Sequence, residues 1–302
     1  MVEIYDIYHD ESKEESYWHG FFFVPRSQRQ YLLNLLIEAR NGLKWYDFLS
    51  FKNIKKDRPK SQKAKLAASW LSIALASIQQ QKLFELPTAF FISGKRRKYF
   101  CKLNNLIKCK FVIFKERNNH KKMFLGLGKQ KCIETTFRIG IKGGIHRLFN
   151  DQEPIRIGNI FLDKSGYSFD VNRGLRRFIR EKRSYVSVES DAKLILQCSD
   201  HRKIKSHQKE EDSQLLQLCD ILIGGTRFHL IYPEEIQNIR YGISHPCKYL
   251  LAHDLKNYSR MHNSRFENGF TFGQAWLENN KWKFDKLEIN KNRTKIQQTL
   301  KI

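Results

Sequence analysis

Long apolar runs are missing from this sequence. None approaches the roughly 18 residues that a membrane-spanning helix needs, and no lipidation motif opens or closes the chain, so neither a span nor a lipid anchor is expected. The first residues form a strand-like run, Val2 to Tyr8, that carries Glu3 and Asp6. A signal peptide has a basic start and an apolar middle, so the expectation is a cytoplasmic protein. Cysteine is scattered: Cys101, Cys109, Cys132, Cys198, Cys219 and Cys247 include no CxxC pair. That argues against a zinc ribbon and a disulfide framework, and predicts reduced, mostly buried thiols. Gly126-Leu127-Gly128-Lys129 lacks the spacing of a P-loop, and no GxGxxG opens a strand-to-helix turn, so a nucleotide cofactor is not indicated.

Acidic residues are also in short supply. Thirty-one Asp and Glu face 55 Lys and Arg, a formal charge of +24 that far exceeds what solubility requires. Such an excess attracts polyanions, and with no membrane segment in view the polyanion expected is nucleic acid, RNA or DNA. With 41% hydrophobic and 13% aromatic residues, the chain has ample material for a core. Its 302 residues suit a core domain with an appended part.

Residues 4–8 and 17–24 are β-rich and read as a hairpin. Apolar spacing predicts helices over 26–40, stopped at Asn41-Gly42, and over about 61–82. Strands are predicted at 88–93 and 108–114. A helix over 133–148 carries Gly140, Gly143 and Gly144, which lower its propensity. Residues 155–162 read as a strand ending at Asp163, followed by a turn and a helix over 174–182. Residues 194–198 read as a strand, and 213–224 as an apolar helix ended by Gly224-Gly225. Strands alternating with helices predict an α/β fold with a mixed sheet. The division expected is a core over 1–228, with a basic insertion around 95–150, and an appended α+β region over 229–302 with a hairpin (270–277 and 281–289) and a basic tail.

Three carboxylate positions could carry chemistry. Asp10-Glu11-Ser12 stands where the first strand ends, Asp163 ends a later strand, and Asp220 lies inside the apolar run Leu215 to Ile223. Carboxylates that converge repel one another unless divalent cations neutralise them. Oxygen ligands of this kind suit Mg²⁺ or Mn²⁺, and metal-assisted phosphoryl transfer suits a chain that attracts phosphates. Each acid also has an ordinary reading: Asp10 and Asp163 as turn formers, and Asp220 as the partner of an arginine.

The run Ile7-Tyr8-His9-Asp10-Glu11-Ser12 resembles the opening IYIDES strand of the domain-of-unknown-function family 3800. Leu216-Gln217-Leu218-Cys219-Asp220-Ile221-Leu222-Ile223-Gly224-Gly225 resembles that family's LQLADLIAG helix, in the same order and at a similar distance. Between them, Phe161-Leu162-Asp163 falls where the family has a strand ending in an acid, and Leu43-Lys44-Trp45 resembles its tryptophan-containing segment. The resemblance covers about Val2 to Gly225. It implies a ribonuclease H-like fold, a mixed sheet flanked by helices, with Asp10, Asp163 and Asp220 as metal ligands. Glu11, from the same acidic cluster, joins them as a catalytic candidate.

The sequence departs from the family at His9, which replaces an apolar residue, and at Lys13, which replaces a glycine. The acid expected before Lys44-Trp45 is missing, which leaves Glu38 and Glu134 as substitutes for a fourth carboxylate. Asp212 reads as a helix N-cap.

Two basic surfaces accompany the acids. Residues 95–122 hold eleven Lys or Arg against Glu116 alone, interleaved with Tyr99, Phe100, Phe111 and Phe114. Charge and rings together suit single strands, and Arg96, Arg97 and Lys98 are the candidates there; buried strand core is the alternative reading of the rings. A helix over 173–183 offers Arg176, Arg177 and Arg180 for bidentate phosphate contacts. The function expected is a divalent-metal-dependent nuclease acting on RNA or DNA, with defence or toxin systems as one setting. The alternative is a non-catalytic nucleic-acid-binding or protein-interaction module on the same scaffold.

Overall fold

A computed structural model describes residues 2–12, 18–56, 61–80, 83–85, 100–102, 107–116, 129–149, 153–163, 185–204, 207–231, 269–278 and 281–286. It shows an α/β protein built on a mixed sheet flanked by helices. The predicted hairpin is present as β1 (Glu3–Ser12) and β2 (Trp18–Pro25), antiparallel from Tyr5↔Pro25 to Ser12↔Trp18. The other strands are β3 (Leu83–Glu85), β4 (Phe100–Lys102), β5 (Lys110–Glu116), β6 (Ile155–Asp163), β7 (Val186–Val188), β8 (Leu194–Gln197), β9 (Phe270–Glu278) and β10 (Lys281–Lys286). β3 and β4 make a separate two-stranded sheet.

The main sheet runs β10-β9-β5-β2-β1-β6-β7, and β8 also pairs with β6. β2 runs antiparallel to both of its neighbours, β1 and β5, whereas β6 runs parallel to β1, and β7 and β8 run parallel to β6 along successive stretches of it. The C-terminal hairpin β9-β10 continues this sheet, with β9 parallel to β5.

Alternation along the strands sends successive side chains to opposite faces, and each face has its own core. On one face Tyr8, Phe22, Val24, Phe111, Ile113 and Phe161 pack in a single cluster with α1 (Arg29–Leu43), α2 (Gln62–Gln79) and α4 (His207–Ile231). On the other, Tyr5, Ile7, Phe21, Phe23, Val112 and Phe114 pack against α3 (Lys129–Leu148). α2 begins where sequence placed it, because the Ser61 hydroxyl caps it by accepting from Ala64 N at 3.1 Å. Each leucine or isoleucine fully buried along α4 contributes about 1.5–3 kcal/mol relative to exposure.

Two predicted helix ends were misplaced. The stop expected at Asn41-Gly42 is passed, and α1 ends on Lys44, which takes the left-handed conformation at φ 51°. The stop expected at Gly224-Gly225 is also passed. A Cβ on Gly224 would lie 2.1 Å from Phe51 Cγ, so this glycine admits a close neighbour instead of ending the helix. Gly140 does the same for α3, with Phe114 and Phe21 pressed against it. Asp212 is not the N-cap expected, because α4 starts at His207; its carboxylate instead accepts from Tyr8 Oη at 3.0 Å and from Arg29 at 2.7 Å.

No helix among the described residues is long and apolar enough to cross a membrane. The strand predicted at 88–93 and the helix over 174–182 fall outside the described residues.

Candidate functional site

Asp10 lies near the C-terminal end of β1 opposite Gly20, one residue past the pair His9↔Leu162, so the parallel register sets it beside Asp163, the last residue of β6. α4 crosses over this end of the sheet and is seated there by Cys219, whose thiol donates to Tyr8 O at 3.3 Å and lies 3.7 Å from Gly20 O. The seat depends on Gly20, since a Cβ there would meet Ile223 at 2.2 Å. Asp220 follows Cys219 directly, so three elements bring three aspartates to one end of the sheet.

Their proximity has an electrostatic signature. The Asp10 carboxyl is pushed well above its ordinary range, first by burial and then by the charges of Asp220, Asp163 and Glu11, with a bond from the Glu11 backbone opposing. Asp10 keeps some surface in contact with solvent, but protein encloses it densely. The Cys219 thiol is pushed up by burial and then by Asp10 and Asp220, so it stays protonated and can donate.

Asp163 and Asp220 are each held by a backbone N–H. Asp220 Oδ2 accepts from Phe51 N at 2.7 Å, and Asp163 accepts from Ser199 N at 3.3 Å and from Ser199 Oγ at 2.9 Å. Both contacts are extended by Gln217, one helical turn before Asp220. Its Oε1 accepts from Arg40 Nη2 at 2.8 Å and from Leu49 N at 3.0 Å. Its Nε2 donates to Ser199 O at 2.8 Å and to His201 Nδ1 at 3.1 Å. The Arg40 guanidinium also donates to Gln214 and to the carbonyls of Trp45 and Asp47, and lies 4.6 Å from the Trp70 ring centroid. Burial lowers its pKa to about 10.

Sequence reasoning did not find Arg40, Gln217, Ser199 or His201. The available signal was Gln217, a polar side chain set three residues before Asp220 in an apolar run.

The remaining candidates divide. Glu11 is opposite His19 in the ladder, so alternation places it on the other face from Asp10, although their charges interact. That face buries His9, whose Nε2 is 3.2 Å from His19 Nδ1 and whose ring packs on Phe21 and Phe137. Burial, then His19, holds His9 well below the usual histidine range, so His9 is accommodated as a neutral core residue beside His19. Glu38 is exposed on α1, about half a turn around from Arg40, and is not brought to the acids. Glu134 is on α3, across the sheet, and its side chain lies outside the described residues.

Arg96, Arg97, Lys98, Arg176, Arg177 and Arg180 also lie outside them. Within the basic stretch, Phe111 and Phe114 are fully buried, which overturns a base-stacking role for those two rings. Lys110 is buried too, donating to Leu148 O at 2.9 Å. Lys115 is only half-buried, and its Nζ lies 5.3 Å from the Trp18 ring centroid, in the row that pairs Ser12 with Trp18.

Among the described residues, no group of three or more His, Cys, Asp or Glu side chains is placed to hold a metal ion. The aspartates are neighbours that repel, and they do not form a closed cage. Compared with known proteins, the chain matches no family model and no curated protein.

Proposed function

We propose that the chain is a divalent-metal-dependent nuclease on a ribonuclease H-like core, related to the domain-of-unknown-function family 3800. The observation that carries the reading is the meeting of Asp10, Asp163 and Asp220 from β1, β6 and α4 at one end of the sheet, where burial, Asp220 and Asp163 raise the Asp10 carboxyl. The resemblance implies acids from a first strand, a later central strand and a late helix, and those are the positions these three occupy. A buried carboxylate crowded by like charges is unfavourable without a cation.

The donor set suits Mg²⁺ or Mn²⁺, since every donor is a hard carboxylate oxygen. Asp10, Asp163 and Asp220 would hold the ion, which when bound supplies an activated water and stabilises the leaving oxygen of a phosphodiester. Phe51 N–H and Ser199 orient two of the three carboxylates, and the excess of Lys and Arg draws the polyanion. Cytoplasmic action on RNA or DNA completes the reading.

Incubation of end-labelled RNA and DNA strands with the protein and Mn²⁺ tests it. Cleavage that EDTA abolishes, and that Asp220→Asn reduces by orders of magnitude while the variant keeps its fold and its affinity, is the expected result. Equal cleavage by wild type and Asp220→Asn rejects it. A second reading, a nucleic-acid-binding module without catalysis, draws on the same carboxylates failing to enclose an ion among the described residues. It predicts binding with no cleavage under any metal.

A further inference from the structure

Among the described residues, the large apolar side chains that stand exposed are Val2, Tyr46 and Leu196, and Tyr46 is the aromatic one, at 60%. A single exposed ring needs no explanation by itself. The backbone beneath this one does. The carbonyls of Trp45 and Asp47 accept from Arg40 Nη1 at 3.3 and 2.8 Å, and the carbonyl of Tyr46 between them accepts from His201 Nε2 at 2.9 Å. Three consecutive carbonyls are therefore clamped by two buried side chains, while the side chain above faces solvent. A backbone ordered in advance lets the ring bind a flat partner without the usual loss of loop freedom.

The clamp also fixes where the ring stands. The same loop continues to Leu49 and Phe51, whose N–H groups bond Gln217 and Asp220. From the other side, His201 comes two residues after Ser199, which holds Asp163. Two residues of chain span at most roughly 7 Å, so Tyr46 is anchored within the segments that hydrogen-bond Asp163 and Asp220. The sequence on either side suits a phosphate backbone: residues 44–63 contain seven Lys or Arg against Asp47 and Asp57.

We propose that Tyr46 is a stacking platform for an unpaired base of a single-stranded nucleic acid whose backbone passes the Asp10, Asp163 and Asp220 carboxylates. The inference rests on the nucleic-acid part of the proposed function and narrows its substrate to single strands, because the bases of a duplex already stack on one another and offer no free face. It assigns to Tyr46 the aromatic role that Phe111 and Phe114, buried in the sheet, do not fill.

Fluorescence anisotropy in EDTA tests this without chemistry, using a short end-labelled oligouridylate and an abasic strand of the same length. Tyr46→Ala should weaken oligouridylate binding about tenfold or more, while Tyr46→Phe, which keeps the ring, binds like wild type. Neither variant should change affinity for the abasic strand or the melting temperature, since the side chain is exposed. Equal affinity of wild type and Tyr46→Ala for the oligouridylate overturns the proposal and leaves nucleic-acid binding standing. Equal weakening on the abasic strand overturns it as well, because the ring would then not be reading a base. Wild-type protein that binds neither strand overturns both readings. A Tyr46 effect without cleavage in Mn²⁺ removes only the nuclease.

Discussion

Gln217 Nε2 donates to the Ser199 carbonyl at 2.8 Å, and Ser199 in turn donates through Oγ to Asp163 at 2.9 Å. One amide on α4 thus reaches the segment that holds the β6 aspartate, while Asp220, a turn further along α4, takes the N–H of Phe51. The carboxylates of two different elements are kept in relation by a side chain that is not itself acidic.

Replacing Gln217 should expose that dependence. Gln217→Leu leaves Leu49 N–H and Ser199 C=O buried without their partner, and each such group costs about 1–3 kcal/mol. A loss of about 3 kcal/mol or more in urea unfolding is expected. Gln217→Glu keeps the acceptors for Arg40 and Leu49 and loses the donor to Ser199, so it should unfold at higher urea than the leucine variant. A leucine variant as stable as wild type would show that the network does not hold the loop.

Two glycines in helices should respond in opposite directions. At Gly224 a methyl group meets the Phe51 ring at 2.1 Å, so Gly224→Ala must push away the loop that bonds Asp220 and should destabilise by about 1–3 kcal/mol. At Gly42, inside α1, nothing lies within 4 Å of an added Cβ. Gly42→Ala should therefore stabilise by about 0.4–1 kcal/mol through helix propensity and a less free unfolded chain. Thermal unfolding of the pair checks both signs.

Those glycines also mark what sequence could and could not convey. Strand-end acids were legible because β-rich runs give way to polar residues near Asp10 and at Asp163, although β1 continues to Ser12, and the apolar run around Asp220 announced a buried aspartate. Helix ends were not, because Gly224 has the same letter whether it stops a helix or admits a ring. The parallel pairing of β9 with β5 joins residues more than 150 positions apart, a relation that local periodicity does not encode. Gln217 was in plain view within the motif, but its four partners come from three other segments, so its role needed the fold.

Histidine 201 makes the same network sensitive to acid. Its Nδ1 accepts from Gln217 and its Nε2 donates to Tyr46 O, an arrangement only the neutral ring can make, and burial holds its pKa below the ordinary 6.5. The unfolded chain therefore binds the proton more readily, and stability falls as pH drops below 6.5 towards the folded value. His9, also lowered, acts with the same sign. Urea unfolding between pH 8 and pH 5 should show a fall that is smaller in His201→Gln and still present because of His9. An identical pH profile for the variant would show that His201 is not held neutral.

Asp10 should behave in the opposite sense, and the contrast tests the crowding of carboxylates directly. Burial, Asp220 and Asp163 raise its folded pKa above the ordinary 3.8, so the folded state binds this proton more tightly than the unfolded chain, and the stability lost at neutral pH is regained as pH falls through the folded value towards 3.8. Asp10→Asn keeps the shape and removes the charge. In metal-free buffer at pH 7 the variant should melt above wild type, with the difference shrinking as the pH approaches 4. Millimolar Mn²⁺ should then raise the melting temperature of wild type by mass action and do little for the variant, which lacks one of the oxygens that would hold the ion. A variant less stable than wild type at pH 7 without metal would mean that the Asp10 carboxylate is satisfied as it stands, and that repulsion among the three aspartates does not create the site.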